Sequence, residues 1–457
     1  MSLPERTEFL VVGAGPTGLA CALSLHIHGC SDVTVVDAVQ QGEDSSRALV
    51  IHSATLEALE AVGCAEPLVE LGIKETKLRI WDGSRFNTIA DFTKLAPYTK
   101  YPFVLVLPQF ITERVLGEQV QKRGIRVCRP HKVIGLKINE HDTNMTDVTF
   151  EDGQIVTTRY VIGADGSKSA VRHAAGIRFE DPQPNSTSQD ETPPSTAQMV
   201  LADVTFTEPP PREFQNMAFM FSPNNAFLWI PMPDCAYDDT PERVYRVGAG
   251  IPTSMGVPPH APSASYVQDL IDRYGPVANK LPTQRSPQYA VAKVLWSTRY
   301  RTNCAIADTF FTRLGWTAAG NQYYFGGVVL LLGDAAHIHS PAGGQGMNLG
   351  IRDAIALGSA LATHVAYTEP VVSPSEYREL DKPLREWSVH RRARGITVIS
   401  LTKRLLSFAG VEDKSILYWG IVPVNWAKLR NIALNIVSNL PFVQRALAWR
   451  LSGLGNR

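Results

Sequence analysis

The sequence has no excess of charge of either sign. Its 457 residues hold 44 Lys and Arg against 44 Asp and Glu, so the formal net charge at pH 7 is zero. A chain without a basic balance has no general attraction to nucleic acid or to an anionic membrane surface. We therefore expect a small molecule, and no nucleic acid, as the partner, and the oligomeric state stays open.

Cysteines are few and scattered. The six of them show neither CxxC spacing nor the spacing of a metal site, which predicts reduced thiols and no bound metal. No uninterrupted apolar run reaches the roughly 18 residues of a transmembrane helix. No basic and apolar leader precedes the first predicted strand. These absences predict a cytoplasmic protein without a disulfide framework or a membrane-spanning segment.

What the sequence does contain is enough apolar material for a large core, since 44% of its residues are hydrophobic and 19% are charged. Residues 9–37 show the pattern of a strand, a glycine turn, a helix and a second strand. Two further apolar strands, each with an acidic turn, come much later, at 160–166 and 328–334. This order predicts an α/β fold with a discontinuous Rossmann-like dinucleotide-binding domain.

Inserted material of a different composition separates these stretches. Short runs rich in Val, Phe, Tyr, Trp and Thr alternate with turn residues, which is typical of antiparallel strands. The polar, proline-rich segment 181–196 is expected to be an exposed loop. The runs assigned to this inserted sheet are 78–81, 103–107, 197–207, 214–231, 243–251 and 288–308. The domain boundaries that we expect are 1–72, 109–180 and 301–365 for the dinucleotide-binding domain, 73–108 and 181–300 for a substrate domain, and 366–457 for a C-terminal helical region.

The C-terminal region is expected to be helical and basic. From residue 403 onward it has eight Lys and Arg against two acidic residues. Its apolar side chains recur at helical spacing at Trp426, Leu429, Ile432, Ile436 and Leu440. We expect these helices to pack against the dinucleotide-binding domain. The alternative is peripheral contact with a membrane surface, or an entrance for a lipophilic substrate.

The first glycine turn has the pattern of a dinucleotide site. Gly13 would make the tight turn, Gly15 would let the backbone approach a pyrophosphate, and Gly18 would let the helix pack on the strand. Pro16 follows within the turn, and the diphosphate would lie on the helix N-terminus. Asp37 ends the next strand, where it can accept hydrogen bonds from ribose hydroxyls. The alternatives are a turn without a ligand and a capping aspartate.

Two later blocks complete a combination that is specific. One is Asp165-Gly166-Ser167-Lys168-Ser169-Ala170-Val171-Arg172; the other runs from Gly333-Asp334-Ala335-Ala336-His337 to Ser340-Pro341-Ala342-Gly343-Gly344-Gln345-Gly346-Met347-Asn348. With the first glycine turn, they resemble the flavoprotein monooxygenases of the p-hydroxybenzoate hydroxylase and phenol hydroxylase type. The resemblance extends to 46–48, 107–109 and 296–301 and covers most of residues 9–365.

The resemblance implies FAD as the dinucleotide. Asp334 would hold the ribityl and pyrophosphate side, and the helix that opens within 343–348 would point its amides at the flavin's pyrimidine ring. Arg47 would reach the pyrophosphate, and Gln109 the ribityl region. Asp165 and Arg172 would serve both flavin and pyridine nucleotide, or form only a turn aspartate with a salt-bridging arginine. The full set of expected FAD-binding residues is Gly13, Gly15, Pro16, Gly18, Asp37, Arg47, Gln109, Asp165, Gly166, Arg172, Gly333, Asp334, Pro341, Gly343, Gly344, Gly346, Met347 and Asn348.

The implied activity is that of a single-component monooxygenase. NADPH or NADH would reduce the flavin, O2 would form a flavin hydroperoxide, and one oxygen atom would enter a phenolic or other electron-rich ring. A second GxGxxG unit is absent, which agrees with the transient docking of the reductant in this family. The expected substrate is a small aromatic or lipophilic phenol, and secondary metabolism is its expected setting.

Other outcomes of the same site stay open. The same hydroperoxide supports epoxidation, Baeyer–Villiger oxidation and oxidative decarboxylation. From another class, the chain would be a non-catalytic FAD-binding protein that responds to redox state. Substrate-stimulated oxidation of NAD(P)H separates a catalyst from such a module.

The catalytic candidates are Arg47, His52 and Pro341. Pro341 resembles the proline beside the peroxide, and Arg47 lies where flavin and reductant meet in the family. Some phenol hydroxylases have an aspartate near 50–52; this sequence has none there, and His52 is the nearest titratable side chain. The substrate candidates are Met220, Trp229 and Tyr245, for which core packing is the alternative.

Overall fold

The computed structural model describes most of the chain. The described residues are 2–40, 48–82, 85–182, 198–222, 225–237, 239–276, 278, 289–301, 303–317, 323–341, 343–367, 374–409, 415–418, 422–425 and 440–456. The expected loop at 181–196 lies outside this set beyond Pro182, and so do Arg47 and most of the apolar row of the C-terminal region.

Strands and helices alternate along the described residues. The strands are β1 Arg6–Val12, β2 Val33–Val36, β3 Val50–Ile51, β4 Ile73–Glu75, β5 Lys77–Trp81, β6 Phe86–Asp91, β7 Val104–Val106, β8 Arg126–Cys128, β9 Val133–Ile138, β10 Thr146–Phe150, β11 Ile155–Gly163, β12 Phe179–Glu180, β13 Gln198–Phe206, β14 Ala218–Ser222, β15 Asn225–Pro231, β16 Tyr245–Ile251, β17 Val291–Arg301, β18 Ala305–Ala307, β19 Phe311–Thr317, β20 Tyr323–Leu331, β21 His337–Ile338, β22 Ser415–Tyr418 and β23 Val422–Asn425. The helices are α1 Pro16–Ile27, α2 Ser53–Ala61, α3 Ala65–Leu71, α4 Gln109–Lys122, α5 Ala170–Ala174, α6 Ala264–Tyr274, α7 Gly346–Val365, α8 Pro374–Leu380, α9 Lys382–Ala409 and α10 Pro441–Ser452.

A mixed eight-stranded sheet forms the Rossmann-like part. Its order is β19-β20-β11-β1-β2-β8, with β10 and β9 added beside β11. The strands β20, β11, β1, β2 and β8 pair in parallel, so their carboxyl ends meet at one edge. Helices α1 and α7 pack closely: a Cβ on Gly358 would lie 2.2 Å from Ser24 Oγ. The sheet therefore gathers into one edge the turns that the sequence places far apart.

A second sheet of seven strands has the order β17-β13-β16-β15-β14-β5-β6. It is antiparallel except where β14 pairs with β5. Successive residues of a strand point to opposite faces, and one face packs on α6 through Val267, Leu270 and Ile271. The α/β class, the discontinuous Rossmann-like sheet, the inserted antiparallel sheet and the C-terminal helices are confirmed.

Two runs expected in the second sheet lie elsewhere. The run at 103–107 contains β7, which pairs with β3 and β4 in a separate small sheet. The last part of 288–308 forms β18, which pairs with β12 and β21. Both strands are three residues long, and a run that short carries no alternation that would fix its partner.

The C-terminal region is not helical throughout, because β22 and β23 form a hairpin. Helix α10 packs on the second sheet and on the turn that follows β6. The Lys94 ammonium donates to Gln444 Oε1 at 2.5 Å, and the Gln444 amide donates to the Thr88 carbonyl at 3.2 Å. Its buried Ala448 joins Phe92 and Leu95 in a small core. Within the described ranges, the helices are too short or too polar to cross a bilayer.

Candidate active site

The three glycines of the first turn have three different environments. A Cβ on Gly13, where φ is 108°, would lie 2.3 Å from the Ala164 carbonyl oxygen, and one on Gly18 would lie 1.8 Å from the Gly13 carbonyl oxygen. A Cβ on Gly15 would have no atom within 4 Å. Two glycines are thus required by packing, and the space in front of the third is open to a ligand.

The helix that starts at this turn has its N-terminus available. Pro16 occupies its first turn, Gly15 is its N-cap, no side chain caps it, and no acidic residue lies in its first turn. Free N–H groups and the helix dipole at such an end favour an anion. The turn therefore fits a diphosphate.

Asp37 follows β2 and braces the same turn. Its Oδ2 accepts from the Ala14 N–H at 2.6 Å, and its Oδ1 accepts from the Val39 N–H at 3.0 Å. A carboxylate oxygen can accept a further hydrogen bond, so a ribose contact is compatible with these bonds.

Two polar residues that sequence reasoning missed, Glu113 and Arg129, lie near Asp37 together with the predicted Gln109. Gln109 donates to Glu113 Oε1 at 2.7 Å, and the Arg129 guanidinium donates to the Ala14 carbonyl at 3.1 Å. Burial raises the pKa of Glu113, opposed by the Gln109 bond and by Arg129. Arg129 directly follows β8, the outermost parallel strand, and that position was the available signal.

Asp165 and Arg172 both form hydrogen bonds with backbone groups. Asp165 Oδ2 accepts from Ala170 and Val171 N–H at 2.8 and 3.2 Å, while its buried Oδ1 has no partner. Arg172 donates to the carbonyls of Ala335 and Ser167, both at 2.9 Å. The arginine thus joins the second block to the third block through carbonyl groups.

The third block meets the first turn directly. A Cβ on Gly333, where φ is 54°, would lie 2.8 Å from Thr17 Oγ1, and one on Gly350 would lie 2.5 Å from the same atom. Asp334 is exposed at the carboxyl edge of the sheet. Gly166, with a φ of 80°, lies in the turn after β11 at the same edge.

The loop before α7 is held against β3. Gly343 and Gly344 have φ of 81° and 61°, and a Cβ on Gly344 would lie 2.2 Å from Val50 Cγ2. The Asn348 amide donates to the carbonyls of Val50 and Gly344 at 2.8 and 2.6 Å, and its oxygen accepts from the His52 N–H at 2.8 Å. The half-buried Pro341 accepts from the Gly344 N–H at 2.9 Å.

Helix α7 begins at Gly346, with the half-buried Met347 next to it. No side chain caps this helix end, and its first turn has no acidic residue. Like the start of α1, this helix end favours a negatively charged group. The pyrimidine ring of a reduced flavin carries such a charge. Two uncapped helix ends and an open glycine turn at one sheet edge fit FAD. The assignments of individual residues to FAD remain predictions.

His52 is a buried, neutral histidine. Its Nε2–H donates to the Gly343 carbonyl at 2.8 Å, and its buried Nδ1 has no partner. Burial lowers the pKa of His52 to about 4, against the Gly343 bond, and Arg352 lowers it further. The imidazole is therefore uncharged at neutral pH and offers one lone pair as a hydrogen-bond acceptor.

His339 and Gln345 were not singled out from the sequence. His339 Nδ1–H donates to the Ser340 carbonyl at 2.8 Å, its Nε2 is buried without a partner, and burial lowers its pKa to about 4. A Cβ on Gly346 would lie 4.0 Å from that Nε2. Gln345 donates to the Leu451 carbonyl at 3.1 Å. Both residues lie inside the third block, in which the glycines and Pro341 give the stronger sequence signal.

Behind this loop lies a buried ionic cluster. His337 Nε2 is 2.6 Å from Asp353 Oδ2, and the Arg391 Nε–H donates to Asp353 Oδ1 at 2.5 Å. Burial would raise the pKa of Asp353, but Arg391 and His337 hold it below its usual range. The cluster ties β21 to α7 and α9. Within the described ranges, no group of three His, Cys, Asp or Glu side chains is arranged to hold a metal ion.

The three substrate candidates lie in the core of the second sheet. Met220, Trp229 and Tyr245 are 4%, 0% and 2% exposed and belong to the cluster covered by α6. The Trp229 indole donates to the Phe214 carbonyl at 2.9 Å. Core packing, the alternative stated above, accounts for their positions. The neighbouring Phe219 and Leu228, which point the other way, pack against the core of the Rossmann-like part.

The comparisons with known proteins agree with this arrangement. A family model described as "FAD binding domain" matches residues 6–370. The chain is 28% identical over 386 residues to an uncharacterized aromatic compound monooxygenase of Bacillus subtilis, covering 83% of this chain and 66% of that protein. It is 30% identical over 385 residues to a 12-dehydrotetracycline 5-monooxygenase/anhydrotetracycline 6-monooxygenase of Streptomyces rimosus, covering 83% and 67%. The match thus spans about two thirds of the length of these relatives.

Two solved structures have the same fold. The anhydrotetracycline hydroxylase OxyS of Streptomyces rimosus aligns with a TM-score of 0.69 and 25% identity over 99% of this chain and 77% of that one. The p-nitrophenol 4-monooxygenase PnpA of Pseudomonas putida aligns with a TM-score of 0.72 and 21% identity over 99% and 100%. The chain therefore belongs to the FAD-binding family of flavoprotein monooxygenases.

Proposed function

We propose that this protein is an NAD(P)H- and O2-dependent FAD monooxygenase that hydroxylates a phenolic or other electron-rich aromatic substrate. Its family membership and the activities for which its relatives are named support this function. The observation that carries the proposal is the meeting of two uncapped helix N-termini, those of α1 and α7, with the open Gly15 turn at one edge of the parallel sheet.

The residues of the site would share the binding of FAD. The amides of the first turn of α1 bind the diphosphate, Asp37 accepts from a ribose, and Asp334 and Gln109 bind the ribityl side. The amides at the start of α7 face the pyrimidine ring, where they stabilise negative charge. Bound FAD supplies the electron transfer and oxygen activation that amino-acid side chains lack.

The same residues would also limit the access of water to the flavin and hold a polar hydrogen of the substrate or of a water in place. The carbonyls of Val50 and Gly344 are occupied by the Asn348 amide. His52 stays neutral and offers an acceptor at Nδ1, to which a substrate hydroxyl or a water can donate a hydrogen bond. A dry site of this kind favours oxygen transfer over release of hydrogen peroxide.

The reductant would dock transiently. The described sheets contain one dinucleotide turn of the Gly13–Gly18 type, and the sequence has no second GxGxxG unit. NADPH or NADH therefore binds without a Rossmann domain of its own. The expected substrate is a small aromatic or lipophilic phenol, in line with relatives that are named for anhydrotetracycline and for pentachlorophenol.

The test has two readouts. Purified protein loaded with FAD should oxidise NADPH or NADH several-fold faster with an accepted phenol, and the product should gain the mass of one oxygen atom. A protein that binds FAD but shows no stimulation across a panel of phenols and polycyclic aromatics would be a redox-responsive module instead.

Matched glycine variants test the cofactor site itself. Gly18→Ala places a Cβ 1.8 Å from the Gly13 carbonyl and should abolish FAD binding, whereas Gly117→Ala in α4 meets no atom within 4 Å and should bind FAD like the original protein. Flavin absorbance after desalting measures both. Equal flavin content in the two variants would contradict the proposed site.

A further inference from the structure

Glu113 on α4 holds the side chain of Gln109, the residue expected at the ribityl region of FAD. The Gln109 amide nitrogen donates to Glu113 Oε1 at 2.7 Å, and both residues are half-buried, one helical turn apart. The Gln109 backbone N–H donates to the Ala48 carbonyl at 3.1 Å. Gln109 is therefore fixed at its backbone and at its side chain.

The bond to Glu113 decides which end of the Gln109 amide points away from α4. An ionised carboxylate accepts hydrogen bonds and donates none, so it selects the orientation in which the amide nitrogen faces Glu113. The reverse orientation would place the amide oxygen against a negatively charged oxygen. The Gln109 oxygen is thus turned away from Glu113, where it can accept a hydrogen bond from a hydroxyl group.

Two charged residues beside the first glycine turn act on Glu113. Burial raises the pKa of Glu113, the Gln109 bond and Arg129 oppose that rise, and Asp37 adds to it. Arg129 and Asp37 also bind the two ends of Ala14, the carbonyl at 3.1 Å and the N–H at 2.6 Å. Glu113 and Gln109 therefore belong to the same polar network as the turn that would bind the diphosphate.

We propose that Glu113 is a positioning residue for FAD, which holds the Gln109 amide so that its oxygen accepts from the ribityl hydroxyls. The inference rests on the proposed function, because it needs FAD at this sheet edge with Gln109 beside the ribityl chain. The negative charge of Glu113 is what selects the orientation. A neutral amide at position 113 would allow both orientations, of which one is competent to bind.

The first experiment measures the dissociation constant of FAD by flavin fluorescence as the FAD-loaded protein is diluted. Gln109→Ala should weaken FAD binding about tenfold through loss of one hydrogen bond, and Glu113→Ala should weaken it about fivefold. Glu113→Gln should weaken it about twofold, because half of the Gln109 amides then face the wrong way. Glu118→Gln, at an exposed position of the same helix, is the matched control and should bind FAD like the original protein.

A double-mutant cycle separates positioning from a general effect on the fold. In the Gln109→Ala protein, Glu113→Ala should cause no further loss of FAD affinity, because no amide is left to orient. A purely structural role for Glu113 would weaken FAD binding equally with and without Gln109. Additive effects of the two substitutions, or an unchanged dissociation constant in Glu113→Ala, would overturn the inference.

The pH dependence of FAD affinity gives a second readout. Protonated Glu113 can donate to the Gln109 oxygen and so stabilise the wrong orientation. FAD affinity should therefore fall on acidification by a component that Glu113→Gln lacks, and identical pH profiles of the two proteins would contradict the inference. An original protein that binds no FAD at any pH would overturn the proposed function as well. FAD binding that is independent of residue 113 would overturn this inference alone.

Discussion

The Asn348 side chain fixes the backbone of Val50, with its amide nitrogen 2.8 Å from the Val50 carbonyl oxygen. The two residues lie 298 positions apart, one at the start of α7 and one in β3. The same amide also bonds to the His52 N–H and to the Gly344 carbonyl. One side chain therefore sets the distance between the Gly343–Gly344 turn and β3, on which the proposed flavin site depends.

Replacing Asn348 should loosen both the fold and the cofactor site. Asn348→Ala removes the side-chain partner of the partly buried Val50 and Gly344 carbonyls and of the buried His52 N–H, each at a cost of about 1–3 kcal/mol. We expect a lower urea midpoint and a weaker affinity for FAD. Asn87→Ala, which removes an exposed hydrogen bond to Asp82, should change neither. Equal midpoints for the two variants would show that the Asn348 bonds do not support the loop.

The neighbouring glycines offer a paired comparison. Gly343 and Gly344 both have left-handed backbones, so alanine at either position costs roughly 1–2 kcal/mol. A Cβ on Gly344 would also lie 2.2 Å from Val50 Cγ2, whereas one on Gly343 would meet Leu405 at an ordinary 3.6 Å. Gly344→Ala should therefore be the more destabilising by about 1–3 kcal/mol.

The Val50→Ala background isolates the contact. There the Gly344→Ala cost should fall to that of Gly343→Ala, because the clashing methyl group is gone. Denaturant unfolding of the original protein, Val50→Ala, Gly344→Ala and the double variant, with Gly343→Ala as the reference, measures this difference. Strict additivity of Gly344→Ala and Val50→Ala would rule out the steric explanation.

The features that were predictable from the sequence are those fixed by contacts within one short segment of the chain. Gly13 and Gly18 are fixed by contacts within one strand–turn–helix unit, so their pattern signals the turn wherever it occurs. The strand at 104–106 was predicted as a strand, but its pairing with β3 and β4 depends on segments about 30 to 55 residues away. A short apolar run contains no information on such partners.

Which core each face of a strand packs against also depends on elements that are far away in the sequence. Met220, Trp229 and Tyr245 are large and apolar wherever their strands lie, and only the position of α6 shows that they point into its core. His339 and Gln345 were missed for a different reason, since the stronger signals of the glycines and Pro341 surround them in the sequence.

Buried histidines should make stability depend on pH. Burial lowers the pKa of His52 and of His339 to about 4, below the ordinary value near 6.5. Between these values the unfolded chain binds more protons than the native protein, so stability is complete above about pH 6.5 and is lost as pH falls towards 4. Each histidine contributes up to about 1.4 kcal/mol per pH unit in that window.

A histidine variant should reduce that slope. His339→Gln should lose less stability than the original protein between pH 6.5 and 4.5, while His141→Gln, at an exposed position, should keep the original slope. Urea midpoints at a series of pH values measure both. A slope that His339→Gln leaves unchanged would mean that His339 is not the buried neutral group described here.

The ion pair of Arg246 and Asp203 in the second sheet should be far more important than exposed pairs of similar geometry. Its side chains are 3% and 0% exposed, and Arg246 bonds to Asp203 at 2.6 and 2.7 Å while Tyr237 donates to the same carboxylate at 2.5 Å. Arg246→Met leaves a buried carboxylate without its cation, which we expect to cost about 3–5 kcal/mol. Adding Asp203→Asn should recover part of this loss, since the stranded charge is then removed. Arg178→Met breaks the exposed pair with Asp308, also 2.6 Å long, and should leave the denaturation midpoint unchanged. If Arg246→Met and Arg178→Met unfold at the same denaturant concentration, burial does not govern the strength of this pair.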